Sequence, residues 1–190
     1  MKASVNKPLL AVAALCALAA AIVAFYVAGH PYIPEDATIE RDIQSTNWGP
    51  LTLTFPVFSW IGDAKGAILE ATVFVLVMVF NRRAWILAAA AALTGLWYVL
   101  LSHLINRPRP TTAQVLQVTE HPSASSFPSG HTIFVLTVMA VLIILANAIS
   151  RVYTGAHWPT DVLAGLLIAA AWLSFVVSLR WISDRAFAQR

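Results

Sequence analysis

The chain has 190 residues, 59% of them hydrophobic and 11% charged, with a mean hydropathy of +0.74. Soluble domains carry about 25% charged residues, so this composition excludes secreted, fibrous and disordered classes and indicates one helical bundle in a membrane. A formal net charge of +3 is too small to imply nucleic acid, and the single cysteine, Cys16, excludes an intrachain disulfide and a cysteine metal cluster.

A membrane helix needs about 20 mostly apolar residues. Residues 9–29 form the first such run, preceded by Lys2 and Lys7; it is long for a signal-peptide core and reads as a retained helix. Residues 30–47 carry Glu35, Asp36, Glu40 and Asp42 against Arg41 and read as a loop on the outer face. Residues 48–61 are apolar but short, with Pro50 and Pro56, and predict an interfacial or re-entrant piece. A weaker span over about 64–80 contains Glu70 and ends at Arg82 and Arg83. Further spans are expected over 84–105, 132–149 and 162–179. Lys and Arg mark the cytoplasmic side, which places the N-terminus inside and the Pro- and Ser-rich segment 106–130 outside. The expected fold is therefore an all-α polytopic membrane bundle of about five spans with a short interfacial helix, forming one domain over 1–190. Trp48, Trp60, Trp85, Trp158 and Trp181 lie near span ends and read as an interfacial belt.

The polar residues next to the membrane fall into three clusters. Asn106-Arg107-Pro108-Arg109-Pro110 follows a helix end, Pro128-Ser129-Gly130-His131 precedes a helix, and Ser150-Arg151 is followed by His157 and Asp161. Ionisable groups at such depths are costly and mark function. Free amides at a helix start favour an anion such as phosphate, Gly130 allows close backbone approach, and Arg107 and Arg109 can grip phosphate oxygens bidentately. His157 with Asp161 has the form of a nucleophile or base and its orienting carboxylate.

These residues resemble the type 2 phosphatidic acid phosphatase family, whose superfamily includes vanadium haloperoxidases. The family pattern is Lys-x6-Arg-Pro, Pro-Ser-Gly-His and Ser-Arg-x5-His-x3-Asp. The second part is present at 128–131, the third at Ser150, Arg151, His157 and Asp161, and the first in half, as Arg109-Pro110. The resemblance covers roughly 84–180. It implies a metal-independent membrane lipid phosphatase without cofactor, acting on a lipid phosphomonoester or pyrophosphate. His157 would attack phosphorus, Asp161 would orient it and His131 would protonate the leaving oxygen. Arg109, Arg151, Ser129 and the Gly130 amide would hold the phosphate, with help from Arg107. The first two motifs would face outward from the cytoplasmic membrane. Candidate substrates are phosphatidic acid, phosphatidylglycerophosphate and polyprenyl pyrophosphate. The competing readings are a catalytically silent lipid-phosphate binder and a lipid phosphotransferase of the same family.

Two features depart from the family pattern. Ser102 stands where the motif has lysine, and His103 beside it reads as a polar residue at a helix end. The stretch between His131 and Ser150 is also short. A helix over it, at about 1.5 Å per residue, crosses the hydrocarbon core once and sets His131 and His157 on opposite faces. In that arrangement the site is dismantled in the monomer, unless a homo-oligomer completes it. The family plan has six spans, and the arginine-rich tail (Arg180, Arg185, Arg190) fits a cytoplasmic C-terminus, as six crossings would give.

Overall fold

The computed structural model describes residues 5–61, 68, 71–72, 75, 79, 85, 89–90, 93–120, 125–133 and 148–179. Glu70, Arg82, Arg83, most of the 132–149 stretch, Trp181 and the tail arginines lie outside the described residues.

Helix α1, Lys7–Gly29, starts at Asn6, whose side-chain oxygen accepts the Leu9 N–H at 3.3 Å, and it takes Pro8 in its first turn. Only Ala13, Ala20 and Val27 are buried on it, one residue every second turn. That narrow stripe packs on the last long helix, here α5 (Pro159–Ser178), where Val27 meets Ala164. Small residues at such a seam let helix backbones approach closely, as membrane helices require. The rest of α1 is apolar and turned outward, with Phe25 85% and Leu15 66% exposed. A helix apolar all round with one thin buried stripe needs lipid as its solvent. Among the described residues, α1 and α5 are the two helices long and apolar enough to cross a membrane.

The two helices run antiparallel. The Asn6 N–H donates to the Ser178 carbonyl at 2.8 Å, and Val5 bridges Leu179. At the opposite end Val27 packs with Phe127 and Ala164. The start of α1 and the end of α5 therefore lie together at one end of the bundle. The segments between 62 and 92 and between 134 and 147, where the number of spans would be read, contain most of the residues outside the description.

Residues 30–47 are not a loop. Pro34–Ser45 form helix α2, opened by Pro34 with Glu35 and Asp36 in the first turn, where carboxylates favour the positive end of the helix dipole. Asp36, Glu40 and Gln44 stand four residues apart on one face, and all three are buried. Asp36 accepts from the Thr160 N–H at 3.0 Å and the Thr160 hydroxyl at 2.5 Å, so it satisfies the first turn of α5. Gln44 accepts from the Leu116 and Gln117 amides at 2.9 and 3.1 Å and donates to the Gln117 carbonyl at 2.9 Å and the Tyr153 carbonyl at 3.2 Å. A 3-10 turn, Gly49–Thr54, leads into the short helix α3, Phe55–Ile61. The segment exposes Leu53, Val57 and Trp60, while Ser59 faces inward.

Helix α4, Thr94–Ile105, ends at Asn106, which adopts the left-handed conformation (φ 45°) and returns its N–H to the Ser102 carbonyl at 3.1 Å. Asparagine tolerates this cap, and Pro108 keeps the chain from resuming a helix. The next residue, Arg107, is the polar centre of the fold. Its Nη2 meets Asp36 at 2.8 Å, its Nη1 meets Asp161 at 2.7 Å and the Thr160 hydroxyl at 2.7 Å, and its Nε donates to the Pro31 carbonyl at 2.9 Å. Its guanidinium also lies 5.5 Å over the Trp158 ring. Trp158 is accordingly in the core, 2% exposed, and not in the interfacial belt assigned to it from sequence. An apolar groove of about 510 Å³ runs between α1, α4 and α5, lined by Ala17, Ala20, Ala24, Leu101 and Trp172 among others.

Two predictions come from this polar core. Arg107→Ala leaves Asp36 and Asp161 buried without their cation and should cost about 3–5 kcal/mol, read as the loss of unfolding free energy of the purified protein in detergent. Glu40 is fully buried, and its Oε2 has no hydrogen-bond partner among the described residues. Burial, followed by the charges of Asp161 and Asp36, pushes its pKa up from 4.5 to about 9. A raised carboxyl pKa gives stability that is intact below pH 4.5 and lost as pH rises toward 9. Glu40→Gln should therefore raise the unfolding temperature at pH 8 by a few degrees, at roughly 2–4 °C per kcal/mol, with the gain vanishing near pH 4.

Candidate active site

The site forms where three chain segments meet at the Gly29 end of α1 and the Pro159 end of α5. The segment 125–129 is the piece between the other two. The Ser126 N–H donates to the Arg107 carbonyl at 2.9 Å and its hydroxyl donates to the Pro108 carbonyl at 3.1 Å, which joins it to the first motif. The Ser129 N–H donates to the Asp161 carbonyl at 3.2 Å, which joins it to the third. The contact is close because position 165 on α5 is glycine: a Cβ there would stand 2.9 Å from the Ser129 carbonyl oxygen. Gly130 serves packing in the same way, since a Cβ would meet the Tyr98 ring at 2.9 Å. A helix starts at residue 130, and the Ser129 hydroxyl oxygen caps it by accepting the Thr132 N–H at 3.3 Å.

The third motif turns sharply after helical residues 148–153. Gly155 takes a φ of 71°, and a Cβ on it would strike the Gln117 carbonyl at 2.5 Å, so glycine is required there twice over. The Ala156 and His157 amides both donate to the Arg151 carbonyl, at 3.1 and 3.2 Å. This turn points His157 inward, 2% exposed, just ahead of α5.

The His131 and His157 rings lie with centroids 5.9 Å apart, inclined at 63°. This overturns the expectation that the short 132–149 stretch sets them on opposite faces. His157 Nδ1 donates to the Ser126 carbonyl at 2.7 Å. That bond fixes the tautomer and leaves the Nε2 lone pair available. Asp161 Oδ2 is 4.0 Å from Nδ1 and instead accepts the Trp158 N–H at 2.9 Å, while Oδ1 is held by Arg107. The direct orienter of His157 is thus a backbone carbonyl of the second segment, and Asp161 acts on the first turn of α5 and on the local charge. Sequence reasoning could not have found this, because a carbonyl leaves no signature in a side-chain pattern.

Two arginines border the histidine pair. Arg109 Nη1 lies 3.5 Å from His157 Nε2 and bonds the Ala156 carbonyl, and Nη2 donates to the Ser125 carbonyl at 3.1 Å. Arg151, fully buried, meets Glu120 Oε2 at 2.6 Å and also bonds the Ser59 hydroxyl. Burial first, and then the charges of Arg109, Arg151 and His131, hold the His157 pKa well below its usual 6.5. Of the other expected phosphate ligands, Arg107 is turned away into the Asp36–Asp161 clasp and Ser129 is buried as a helix cap. Ser102, in the place of the motif lysine, donates to the Val99 carbonyl of its own helix at 3.0 Å. His103 is exposed and bonds the same carbonyl. Among the described residues no three His, Cys, Asp or Glu side chains converge as a metal site requires. Asp36, Ser59 and Glu120 were not anticipated. For Asp36 a signal was present, the spacing of Asp36, Glu40 and Gln44 behind a helix-opening Pro34.

Comparison with known proteins fits this geometry. The decaprenylphosphoryl-5-phosphoribose phosphatase of Mycobacterium tuberculosis is 27% identical over 117 residues, which cover 55% of this chain and 66% of that protein. The undecaprenyl-diphosphatase of Sulfolobus acidocaldarius is 35% identical over 69 residues, covering 29% of this chain and 33% of that one. The chain thus spans less than two thirds of the length of either relative. In structure it superposes on a transmembrane PAP2-type phosphatidylglycerolphosphate phosphatase from Bacillus subtilis with a TM-score of 0.71 at 20% identity, over 94% of this chain and 98% of that one, which is a likeness of fold. The model of the PAP2 superfamily matches residues 83–147 and 135–185. With the family matched over more than half its length and both histidine motifs brought to one place, the chain belongs to the PAP2 superfamily.

Proposed function

We propose that the chain is a membrane lipid phosphate phosphatase that works through a phosphohistidine on His157. The observation that carries this reading is the 5.9 Å separation of the two imidazoles with Arg109 beside them. A phosphoryl group between two rings can be reached from both sides at about 3 Å. His157 Nε2, with its lone pair exposed by the Ser126 bond, attacks phosphorus as the bond to the lipid oxygen breaks. His131, which burial and then Arg151 hold neutral before substrate binds, takes up a proton as the anionic phosphate comes to lie beside it and gives that proton to the leaving oxygen. Water, deprotonated by His131, then attacks the phosphohistidine; the N–P bond breaks and inorganic phosphate leaves. Arg109 and Arg151 neutralise the phosphoryl oxygens as charge builds on them. Asp161 acts one step removed, through Arg107 and the first turn of α5.

The relatives' names support a substrate among polyprenyl-linked phosphates and diphosphates. The apolar groove between α1, α4 and α5 offers a course for such a chain, since its Ala24 and Leu101 end lies toward the site. The motifs' placement on the outer face of the cytoplasmic membrane belongs to the same proposal, as does hydrolysis in preference to transfer to another lipid. So does an even number of crossings, in place of the five expected from the apolar runs. The pairing of Asn6 with Ser178 supports it, because helices α1 and α5 begin and end the bundle on one side.

Phosphate release from polyprenyl diphosphate, phosphatidic acid and phosphatidylglycerophosphate by the purified protein tests the reading. His157→Ala should abolish release while leaving the fold intact. His131→Ala should slow it by about 10²–10⁴-fold and, with a substrate whose leaving group needs no proton, accumulate an acid-labile phosphoprotein. Turnover by His157→Ala at the wild-type rate would refute the mechanism. A pH profile adds a second check. His157 must be neutral to attack, and its pKa is held below 6.5, so the acid limb of kcat/KM that it causes should lie well under pH 6.5. Arg109→Gln removes a cation from beside Nε2 and should move that limb upward, besides lowering the rate.

A further inference from the structure

Glu120 plays no part in the proposed phosphoryl transfer, yet it stands among the residues assigned to phosphate. Its Oε2 meets Arg151 Nη1 at 2.6 Å. Its Oε1 accepts the Ser59 hydroxyl, and the same hydroxyl accepts from Arg151 Nη1. Its charge also reaches Arg109 and His131. The carboxylate is therefore bonded to Arg151 and near enough to Arg109 and His131 for its charge to be felt there, three groups of the proposed phosphate site. The pair is lopsided in exposure. The Arg151 side chain is fully buried, whereas the Glu120 side chain is 27% exposed and sits on the irregular segment 106–120, outside any helix. In such a pair the carboxylate is the member that can leave. Its other tie, Ser59, comes from α3, whose surface is apolar and exposed.

We propose that Glu120 is the resident counter-anion of the phosphate-binding cations, which the substrate's phosphate replaces on Arg151. The proposal rests on the phosphatase reading for its biological sense, but its physical content is a competition between two anions for one guanidinium. A buried Arg without an anion is costly. Glu120 removes that cost while no phosphate is bound and imposes a uniform penalty on any anion that takes its place. A terminal phosphate carries a charge of about −1.5 to −2 at pH 7 and overcomes the penalty. A phosphodiester carries a single negative charge, gains nothing over the carboxylate, and stays out. Phosphodiester headgroups crowd every phospholipid surface at the depth of this site, so a threshold on anion charge keeps the pocket available for the scarce substrate. The same carboxylate, returning to Arg151 after hydrolysis, promotes release of inorganic phosphate.

The test is Glu120→Gln in the full chain in detergent. The substitution keeps the side-chain shape and one of the two acceptor oxygens that Ser59 and Arg151 use, replaces the other by an NH2 donor and removes the charge. Inorganic phosphate binding is followed by calorimetry and by the rise it causes in unfolding temperature. Dihexanoyl phosphatidylglycerol serves as the phosphodiester probe. The expected result is phosphate affinity at least tenfold tighter than wild type, a larger phosphate-induced rise in unfolding temperature, a lower KM, and inhibition by the phosphodiester at concentrations harmless to wild type. Unchanged or weaker phosphate binding by Glu120→Gln would overturn the proposal, and so would absence of phosphate binding by both proteins. Phosphate binding that tightens as expected without turnover of any lipid phosphate would sink the phosphatase reading and leave the anion competition standing. Where Glu120→Gln fails to fold, Glu120→Asp, which draws the carboxylate back by one methylene, should show the same changes in smaller measure, and wild-type affinity in that variant would count against the idea.

Discussion

A buried guanidinium tolerates no half-measures, because removing one of its partners leaves a charge without compensation in a medium that cannot solvate it. Arg107 sits at that point in this molecule. It joins Asp36 of α2, Asp161 and Thr160 of α5, and the Pro31 carbonyl ahead of α2. Its own backbone carbonyl receives Ser126, whose carbonyl in turn holds His157. The orientation of His157 thus descends from a charge cluster that faces away from the histidine pair. Arg109 and Arg151 take no part in that cluster and border the histidines instead.

Much of this was legible in the sequence, and the parts that were not have physical reasons. The apolar runs placed α1 and α5 to within two or three residues at their starts, because length and lack of charge are the whole requirement for a span. The histidines and the arginines beside them were legible because ionisable groups rarely occur at membrane depth without function. Arg107 and Arg109 look alike in the chain, two residues apart around Pro108, and only the path set by the left-handed cap at Asn106 sends one inward and the other to the site. Acidic content suggested a solvated loop at 30–47, whereas the four-residue spacing of Asp36, Glu40 and Gln44 makes a helix with a polar buried face. Charge content and periodicity pointed in different directions there, and periodicity was the better guide.

The arithmetic of the 132–149 stretch assumed one straight crossing. The pairing of His131 with His157 shows instead that the two motifs meet at one place. Ser126 and Ser129 bind the second motif to the other two through the backbone. Helix length alone does not set the position of His131.

Gly165 lies within the apolar length of α5, one turn beyond Asp161, and touches no reacting group. It nevertheless sets how near the Ser129 carbonyl can come to the helix, and so where the residues after it, His131 included, are seated. A single methyl group added there would be felt in the gap between the two imidazoles. The spacing of the two imidazoles is thus encoded partly at a buried helix position away from them, and variation at such a packing position can retune a pocket that its own residues leave unchanged.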